Sequence, residues 1–184
     1  TALLVAIFLS LANWQWNRAA ELKKPLLQDQ SISPIDSLIT PNGSIEPSAL
    51  GKKVSLKGEY LSNWVAPHQN RDQDWVVGLL KTSDNAAILV VRGIKAAAQP
   101  PLGMSQIIGY VMPPQSEDVA ENSETNISRV DSSLFVSRTE LPLYAPYIQV
   151  ISEDPVTDLK MVPFKTSSKV PGFYWQHISY VVIW

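Results

Sequence analysis

Hydrophobic and polar residues alternate with a period of two through much of the centre of the chain. The stretch 54–60 (Val-Ser-Leu-Lys-Gly-Glu-Tyr) alternates in this way and predicts a strand buried on one face. Four further apolar stretches predict strands, the first two being almost uniformly apolar: 75–80, 86–92, 106–112 and 147–151. Thr82-Ser-Asp-Asn85 separates the first two of these and has the residues of a hairpin turn. The pattern therefore predicts a compact, mostly antiparallel β domain.

Three other segments lack a clear strand pattern. The stretch 113–128 contains four carboxylates and no basic residue, and 34–47 is punctuated by Pro41, Asn42 and Gly43, so both are predicted to be loops. The stretch 131–138 leaves two alternatives open. Asp131 would cap a short helix, whereas the β-branched and aromatic residues after it equally favour a strand.

The first twelve residues are apolar except for Thr1 and Ser10. As a helix they would extend about 17 Å, less than the roughly 30 Å hydrocarbon core of a bilayer. Such a run fits either the apolar part of a signal peptide or a membrane helix cut short at its outer end. No initiator methionine, basic n-region or cleavage site accompanies it, and two tryptophans and Arg18 follow it. We therefore expect a membrane helix whose aromatic edge meets water.

The end of the chain shows a similar pattern. The aromatic cluster at 173–177 (Phe-Tyr-Trp-Gln-His) leads into the apolar stretch 178–184. This stretch fits either a last strand of a sheet or the start of a second membrane helix. Arg18, Lys23 and Lys24 flank only one predicted span, so charge leaves the topology undecided.

The predicted architecture is an α+β membrane protein in which a mostly antiparallel β domain is held between two transmembrane helices, both truncated in the sequence. Residues 1–24 would form the N-terminal transmembrane helix and its aqueous extension, and 25–172 the extramembrane β-rich domain. Residues 173–184 would begin the C-terminal transmembrane helix.

Composition excludes several classes of chemistry. The 184 residues contain no cysteine, which excludes disulfides, thiol catalysis and cysteine-ligated metal sites. The net charge of −2 provides no basic field, so nucleic acid is not expected as a partner. We find no phosphate-binding loop, nucleophile elbow or metalloprotease motif. We therefore predict neither a catalytic residue nor a metal site, and interpret Glu153-Asp154 beside Pro155 as turn residues.

Two histidines are the main candidate ligands in the chain. His177 immediately precedes the last apolar run, where it would serve either as an axial haem ligand or as an interfacial side chain with its ring tip among headgroups. His68 lies in a polar stretch and is expected to be exposed. Trp14 and Arg18 lie one helical turn apart, with Gln15 three residues before the arginine. This group would contact either headgroups or a partner.

The same group carries a resemblance to a known family. The segment 11–18 (Leu-Ala-Asn-Trp-Gln-Trp-Asn-Arg), followed by Lys23 and Lys24, resembles the Leu-Gly-x-Trp-Gln-x-x-Arg…Lys signature of the surfeit locus protein one family. Members of that family are cytochrome c oxidase assembly factors. Further blocks resemble the family's motifs in the same order: 54–61, 75–80 with 88–94, 106–111 and 176–184. The chain departs from the pattern at Ala12, Val91, Ile94 and Val181.

The resemblance implies a multi-pass protein of a bacterial plasma membrane or a mitochondrial inner membrane, with its domain on the outer, electron-donor side. It implies a chaperone of the respiratory chain that supports haem a delivery or insertion into oxidase subunit I. The implied partners are subunit I, other respiratory-complex subunits and the lipid bilayer, with haem a as a possible transient cofactor. The alternative is a stable accessory subunit of a haem–copper oxidase or of a respiratory supercomplex.

The family's motifs also assign roles to residues of this chain. His177 is the candidate haem ligand by this resemblance. The signature or partner-contact residues are Trp14, Gln15, Arg18, Arg92, Gly93, Tyr180 and Trp184. An enzyme of haem modification is disfavoured, because oxygen chemistry on haem would need several buried membrane histidines and the chain has one candidate.

Overall fold

The structure, a computed structural model, describes residues 10–11, 13–14, 31–69 and 73–164. The chain divides into two compact units, Gln28–Pro163 and a second that combines Thr1–Leu27 with Phe164–Trp184. Within the described residues, no helix has the length and apolar character needed to cross a membrane. The predicted terminal membrane helices fall almost entirely outside the described residues, and they remain predictions.

Six strands and two short 3-10 helices make up the described part of the larger unit. The strands are β1 (Ile32–Pro34), β2 (Lys53–Gln69), β3 (Gln73–Thr82), β4 (Ala87–Ile94), β5 (Gly103–Met112) and β6 (Tyr147–Asp154). The 3-10 helices are Ile35–Ser37 and Ser132–Phe135. The five predicted strands are confirmed as β2 to β6, although β2 and β3 extend beyond the predicted bounds at both ends and β4, β5 and β6 extend at one end. β1 was not predicted, because three residues are too few to show a period.

The sheet closes on itself. Its strand order is β1-β2-β3-β4-β6-β5, and β5 also pairs with β2. Four of the pairings are antiparallel, while β1 with β2 and β4 with β6 are parallel. The predicted mostly antiparallel β domain is therefore confirmed. Closure leaves only the short β1 as an open edge among the described strands, which limits unwanted strand pairing.

The interior of the closed sheet is one of two hydrophobic cores. Alternate residues of the strands point inward, including Leu56 on β2 and Ile88 and Val90 on β4. One end of this interior is filled by residues that we call the apolar end: Ile35, Ile39, Ala49 and Tyr144. These four side chains are at most 4% exposed, so this end is closed by apolar packing.

The second core lies on the outer face of β3 and β4. The segment that follows β5 folds over this face and buries Ile127, Val130 and Phe135 against it. The alternate residues Leu89 and Val91 of β4 point into this core. Both faces of β3 and β4 are therefore buried, which explains why their sequences are almost continuously apolar.

The loop predictions are confirmed in part: 113–128 contains no helix or named strand, whereas 34–47 begins at the last residue of β1 and contains the 3-10 helix Ile35–Ser37. Most of 113–125 is exposed, but the chain becomes buried at Ile127. Of the two alternatives for 131–138, the helix is correct: Asp131 accepts a hydrogen bond from the Ser133 backbone N–H at 2.9 Å and caps a 3-10 helix. The predicted turn joins β3 to β4, with the Thr82 N–H donating to the Ala86 carbonyl at 2.8 Å.

Candidate functional site: a buried ion pair inside the closed sheet

Three shifts of strand register surround the end of the sheet opposite the apolar end. On β4, pairing with β3 passes from Val91 to Gly93, so Arg92 is the additional residue of a bulge. On β6, pairing with β5 passes from Val150 to Ser152, and on β2 a shift follows Tyr60. An additional residue reverses which side chains point inward beyond it. The shift on β2 turns Asn63 inward and the shift on β6 turns Glu153 inward, whereas Arg92 keeps the inward parity of Ile88 and Val90.

Cross-strand pairs confirm the reversal. Directly opposed residues share a face of the sheet. Glu153 opposes Ile107, which belongs to the interior core. On β6 before the bulge, the inward residues are Ile148 and Val150, which have the opposite parity. Without the bulge, the Glu153 carboxylate would point to the outer face.

Arg92 and Glu153 form a bidentate ion pair. The Nη2 atom of Arg92 lies 2.7 Å from Oε1 of Glu153, and its Nε donates to Oε2 at 3.4 Å. Their side chains are 1% and 4% exposed. β4 and β6 pair through their backbones at Val90–Ile148 and Val91–Gln149, and the ion pair follows immediately. The side chains thus bridge β4 and β6 where that backbone pairing ends.

Neighbouring side chains satisfy most of the remaining donors and acceptors. The Arg92 guanidinium lies 3.9 Å from the centre of the Tyr60 ring, a close cation–π contact. Ser105 Oγ donates to Glu153 Oε1 at 3.3 Å, and Arg92 Nη1 donates to Asn63 Oδ1 at 3.2 Å. We call these five residues the Arg92 cluster: Tyr60, Asn63, Arg92, Ser105 and Glu153.

The cluster also holds the loop between β4 and β5. Arg92 Nη1 donates to the carbonyl oxygen of Pro101 at 2.9 Å. Asn63 Nδ2 donates to the carbonyl oxygen of Pro100 at 3.0 Å. Two consecutive carbonyls of this loop are therefore fixed by side chains from the interior of the sheet.

Two glycines make room for this arrangement. A Cβ atom on Gly78 would lie 2.5 Å from Cε1 of Tyr60 and 3.2 Å from Cδ of Arg92. A Cβ atom on Gly93 would lie 2.8 Å from the Leu159 Cβ and from the Lys160 carbonyl oxygen. Gly78 therefore admits the cluster into the sheet interior, and Gly93 allows the chain after β6 to cross close to β4.

The electrostatics of the cluster favour a structural role over proton transfer. The Tyr60 hydroxyl is buried and has no hydrogen-bond partner among the described residues. Burial, and then the negative charge of Glu153, raise the pKa of Tyr60 far above its ordinary value, although Arg92 opposes the shift. The phenol therefore stays neutral. The ion pair it covers is shielded from solvent, so a substrate would have no direct access to Arg92.

The structure describes three of the predicted site residues, and it places two of these three together. Arg92 and Gly93 lie together at the cluster, both buried. Trp14 is helical and 57% exposed, and it belongs to the other unit. The other predicted site residues lie outside the described residues: Gln15, Arg18, His177, Tyr180 and Trp184.

Sequence reasoning assigned Glu153 wrongly. It was interpreted as a turn residue beside Pro155, whereas it lies in β6 and is 7% exposed. The bulge in β6 hid its inward position by interrupting the period of two. A signal for a buried partner was nevertheless present, because Arg92 ends an apolar strand and a buried guanidinium requires a carboxylate or an equivalent acceptor.

The described residues do not fit a haem. His68 is the histidine among them, and it lies exposed at the end of β2 with a φ of 56°. A pocket of about 220 Å³ next to Ile35 and Asp36 is smaller than the roughly 300–1,000 Å³ of common ligand sites. No group of three or more metal-ligating side chains occurs in the part of the chain that the structure describes. We therefore derive no haem chemistry from the β domain.

Fold and site together define a closed β domain whose interior ends in a structural ion pair. Comparison with family models identifies the SURF1 family over residues 2–184. Because this match covers nearly the whole sequence, the chain belongs to the SURF1 family, and the resemblance seen in the sequence is confirmed. This family is associated with cytochrome c oxidase assembly. A search of curated proteins finds no match to the chain.

Proposed function

We propose that this protein is a membrane-held assembly factor that supports delivery or insertion of haem a into subunit I of cytochrome c oxidase, without catalytic turnover of its own. The observation that carries the proposal is the family match over residues 2–184, which includes both terminal motif blocks. The terminal segments would hold the protein in the membrane, with the β domain on the outer side.

The geometry of the β domain supports a division of roles within this function. Arg92 is fully engaged with Glu153, Asn63 and the Pro101 carbonyl, so it stabilises the domain and is not a haem contact. Haem handling is then assigned to the terminal segments, where His177 is the proposed ligand. The β domain supplies a rigid scaffold in this arrangement.

The test is a reduced-minus-oxidised spectrum of membranes from cells lacking the protein, read at the a-type haem band. We expect a collapsed band that wild-type protein restores. His177→Ala should fail to restore it, while His68→Ala, the matched histidine control on the β domain, should restore it fully. Equal rescue by both variants would retain the assembly role and reject His177 as a ligand.

An unchanged band in the deleted strain would contradict the assembly role. Purification then separates the remaining alternatives. An assembly factor should be recovered in substoichiometric amounts with immature subunit I. Stoichiometric recovery with mature, active oxidase would instead identify a stable accessory subunit.

A further inference from the structure

The loop that precedes β2 contains the dipeptide Asn42-Gly43 in a tight turn. The Gly43 N–H donates to the carbonyl oxygen of Thr40 at 3.2 Å, and Pro41 and Asn42 are the two residues between them. Asn42 has a φ of 53°, as the residue after proline in a type II turn does. Glycine is the usual residue at such a position, so the asparagine side chain points to a further role.

Asn42 ties this turn to the chain that leads into β6. Its backbone N–H donates to the Leu143 carbonyl oxygen at 2.8 Å, and the Leu143 N–H donates to Asn42 Oδ1 at 3.2 Å. The next residue, Tyr144, donates its N–H to the Ala87 carbonyl oxygen at 3.0 Å and is fully buried in the apolar end. The Asn42 side chain therefore secures the segment that places Tyr144.

The same dipeptide has a characteristic chemistry. Asparagine loses its side-chain amide most readily before glycine, because glycine has no side chain to obstruct attack by its own nitrogen. The Gly43 nitrogen gives its proton to solvent and bonds to Cγ of Asn42, while the Cγ–Nδ2 bond breaks and the amide leaves, with a proton, as ammonia. Water then opens the cyclic imide at one of its two carbonyls, which yields aspartate or isoaspartate. Asn42 is exposed, so water, the only co-reactant, reaches it.

The closed turn restrains both reacting groups. The Gly43 proton is engaged with Thr40, and the Asn42 side-chain oxygen is engaged with Leu143. Attack requires the Gly43 proton to leave and the Asn42 amide to turn towards the Gly43 nitrogen, so each movement breaks one of these hydrogen bonds. From 40 to 48 every residue is exposed or half-buried, which is typical of a segment that opens locally. The reaction rate should therefore follow the fraction of time that the turn is open.

We propose that Asn42 is a site of spontaneous deamidation, that the reaction proceeds from the open turn, and that isoaspartate then prevents the turn from closing. Isoaspartate adds one carbon to the main chain, so it is incompatible with the reciprocal hydrogen bonds to Leu143. Aspartate, by contrast, keeps an acceptor oxygen at the position of Asn42 Oδ1. The site converts a transient opening beside the apolar end into a permanent one, and this inference is independent of the proposed function.

The first test compares two asparagines of the full chain, in mild detergent and in denaturant at the same mildly alkaline pH. Asn85 is the matched control, because it is also an exposed turn residue with a φ of 58° but is followed by Ala86. Peptide mass spectrometry detects deamidation as a gain of about 1 Da. In denaturant, Asn42 should react at least about tenfold faster than Asn85, and in the folded protein at least about tenfold more slowly than in denaturant. Equal rates in either comparison would overturn the proposal.

The second test measures the consequence at Leu143. Electron-based fragmentation separates isoaspartate from aspartate, and hydrogen exchange reports on the Leu143 amide. Aged protein with isoaspartate at position 42 should exchange this amide severalfold faster than fresh protein, whereas Asn42→Asp should exchange it at the wild-type rate. Asn42→Gly tolerates the positive φ and has no amide to lose, so its exchange should not change with age. Unchanged exchange in the isoaspartate form, or equal ageing of Asn42→Gly, would overturn the proposed release.

Discussion

The two ends of the closed sheet are filled by opposite chemistry. At the apolar end, Ile35, Ile39 and Ala49 pack into the interior and need only the right volume and hydrophobicity. At the other end, Arg92 and Glu153 are equally buried, but each is tolerated only because the other is present. The difference teaches that substitutions at the apolar end should lower stability in small steps. The Arg92 cluster, in contrast, is stable only when all of its members are in place.

The largest effect should come from breaking the ion pair. Glu153→Ala leaves the Arg92 guanidinium buried and unpaired, which should lower the free energy of unfolding by about 3–5 kcal/mol. Chemical denaturation in detergent, followed by tryptophan fluorescence, measures this change.

A double variant shows whether the cost arises from the unpaired charge. Arg92→Met with Glu153→Leu removes both charges and should recover most of the lost stability. If the double variant is no more stable than Glu153→Ala, packing around the cluster rather than charge pairing determines stability at this end.

The next effect compares steric tolerance at the two ends. Gly78→Ala forces a methyl group against the Tyr60 ring and should cost about 1–3 kcal/mol of unfolding free energy. Ile39→Val, which removes one methylene at the apolar end, should cost only about 0.5–1.5 kcal/mol. Thermal unfolding of the two variants side by side tests this order, and equal costs would contradict it.

A smaller effect compares the buried tyrosines of the two ends. Tyr144 Oη donates to Asp36 Oδ1 at 3.1 Å, so Tyr144→Phe should cost about 0.5–1.5 kcal/mol. The Tyr60 hydroxyl has no hydrogen-bond partner among the described residues, so Tyr60→Phe should be neutral or stabilising, although Tyr60 lies in the polar cluster. A clear destabilisation by Tyr60→Phe would show that its hydroxyl bonds to Glu153.

The raised pKa of Tyr144 also leads us to expect that the stability of the fold depends on pH. Burial and then its hydrogen bond to Asp36 raise the pKa of Tyr144 from 10.0 to about 12. Because the folded state holds this proton more tightly, the contribution to stability is complete below pH 10 and is lost as the pH rises through about 12. Unfolding followed across this range should show a decline that is weaker in Tyr144→Phe.

We expect the smallest effect on stability from the exposed ion pair of Arg129 and Asp118, which contrasts with the buried pair of Arg92 and Glu153. Arg129 Nη1 lies 2.6 Å from Asp118 Oδ1, and hydrogen bonds from Ser128 and then Arg129 lower the pKa of Asp118 below 3.8. The stabilisation is therefore present above pH 3.8 and is lost as the pH falls further. Hydrogen exchange of residues 115–131 should show a slight, salt-sensitive loosening in Arg129→Ala. A salt-independent loss would mean that this pair behaves like the buried one.

Local patterns determined much of the fold. The alternation at 54–60 and the continuous apolar stretches of β3 and β4 predicted the strands, and Thr82-Ser-Asp-Asn85 predicted the turn. These predictions succeed because side-chain period and turn chemistry depend on near neighbours in the chain. The motif blocks likewise indicated the family that the full-length match confirms.

Only the tertiary structure decided the closure of the sheet and the arrangement of the Arg92 cluster. Arg92 and Glu153 are 61 residues apart, and their meeting depends on the pairing of β4 with β6 and on a bulge that reverses the inward period towards the end of β6. A bulge is set by the register of the partner strand, which no local pattern records. The sequence by itself therefore determined the five longer strands and the family. Only long-range strand pairing places Glu153, which the sequence alone indicates as a turn residue, beside Arg92.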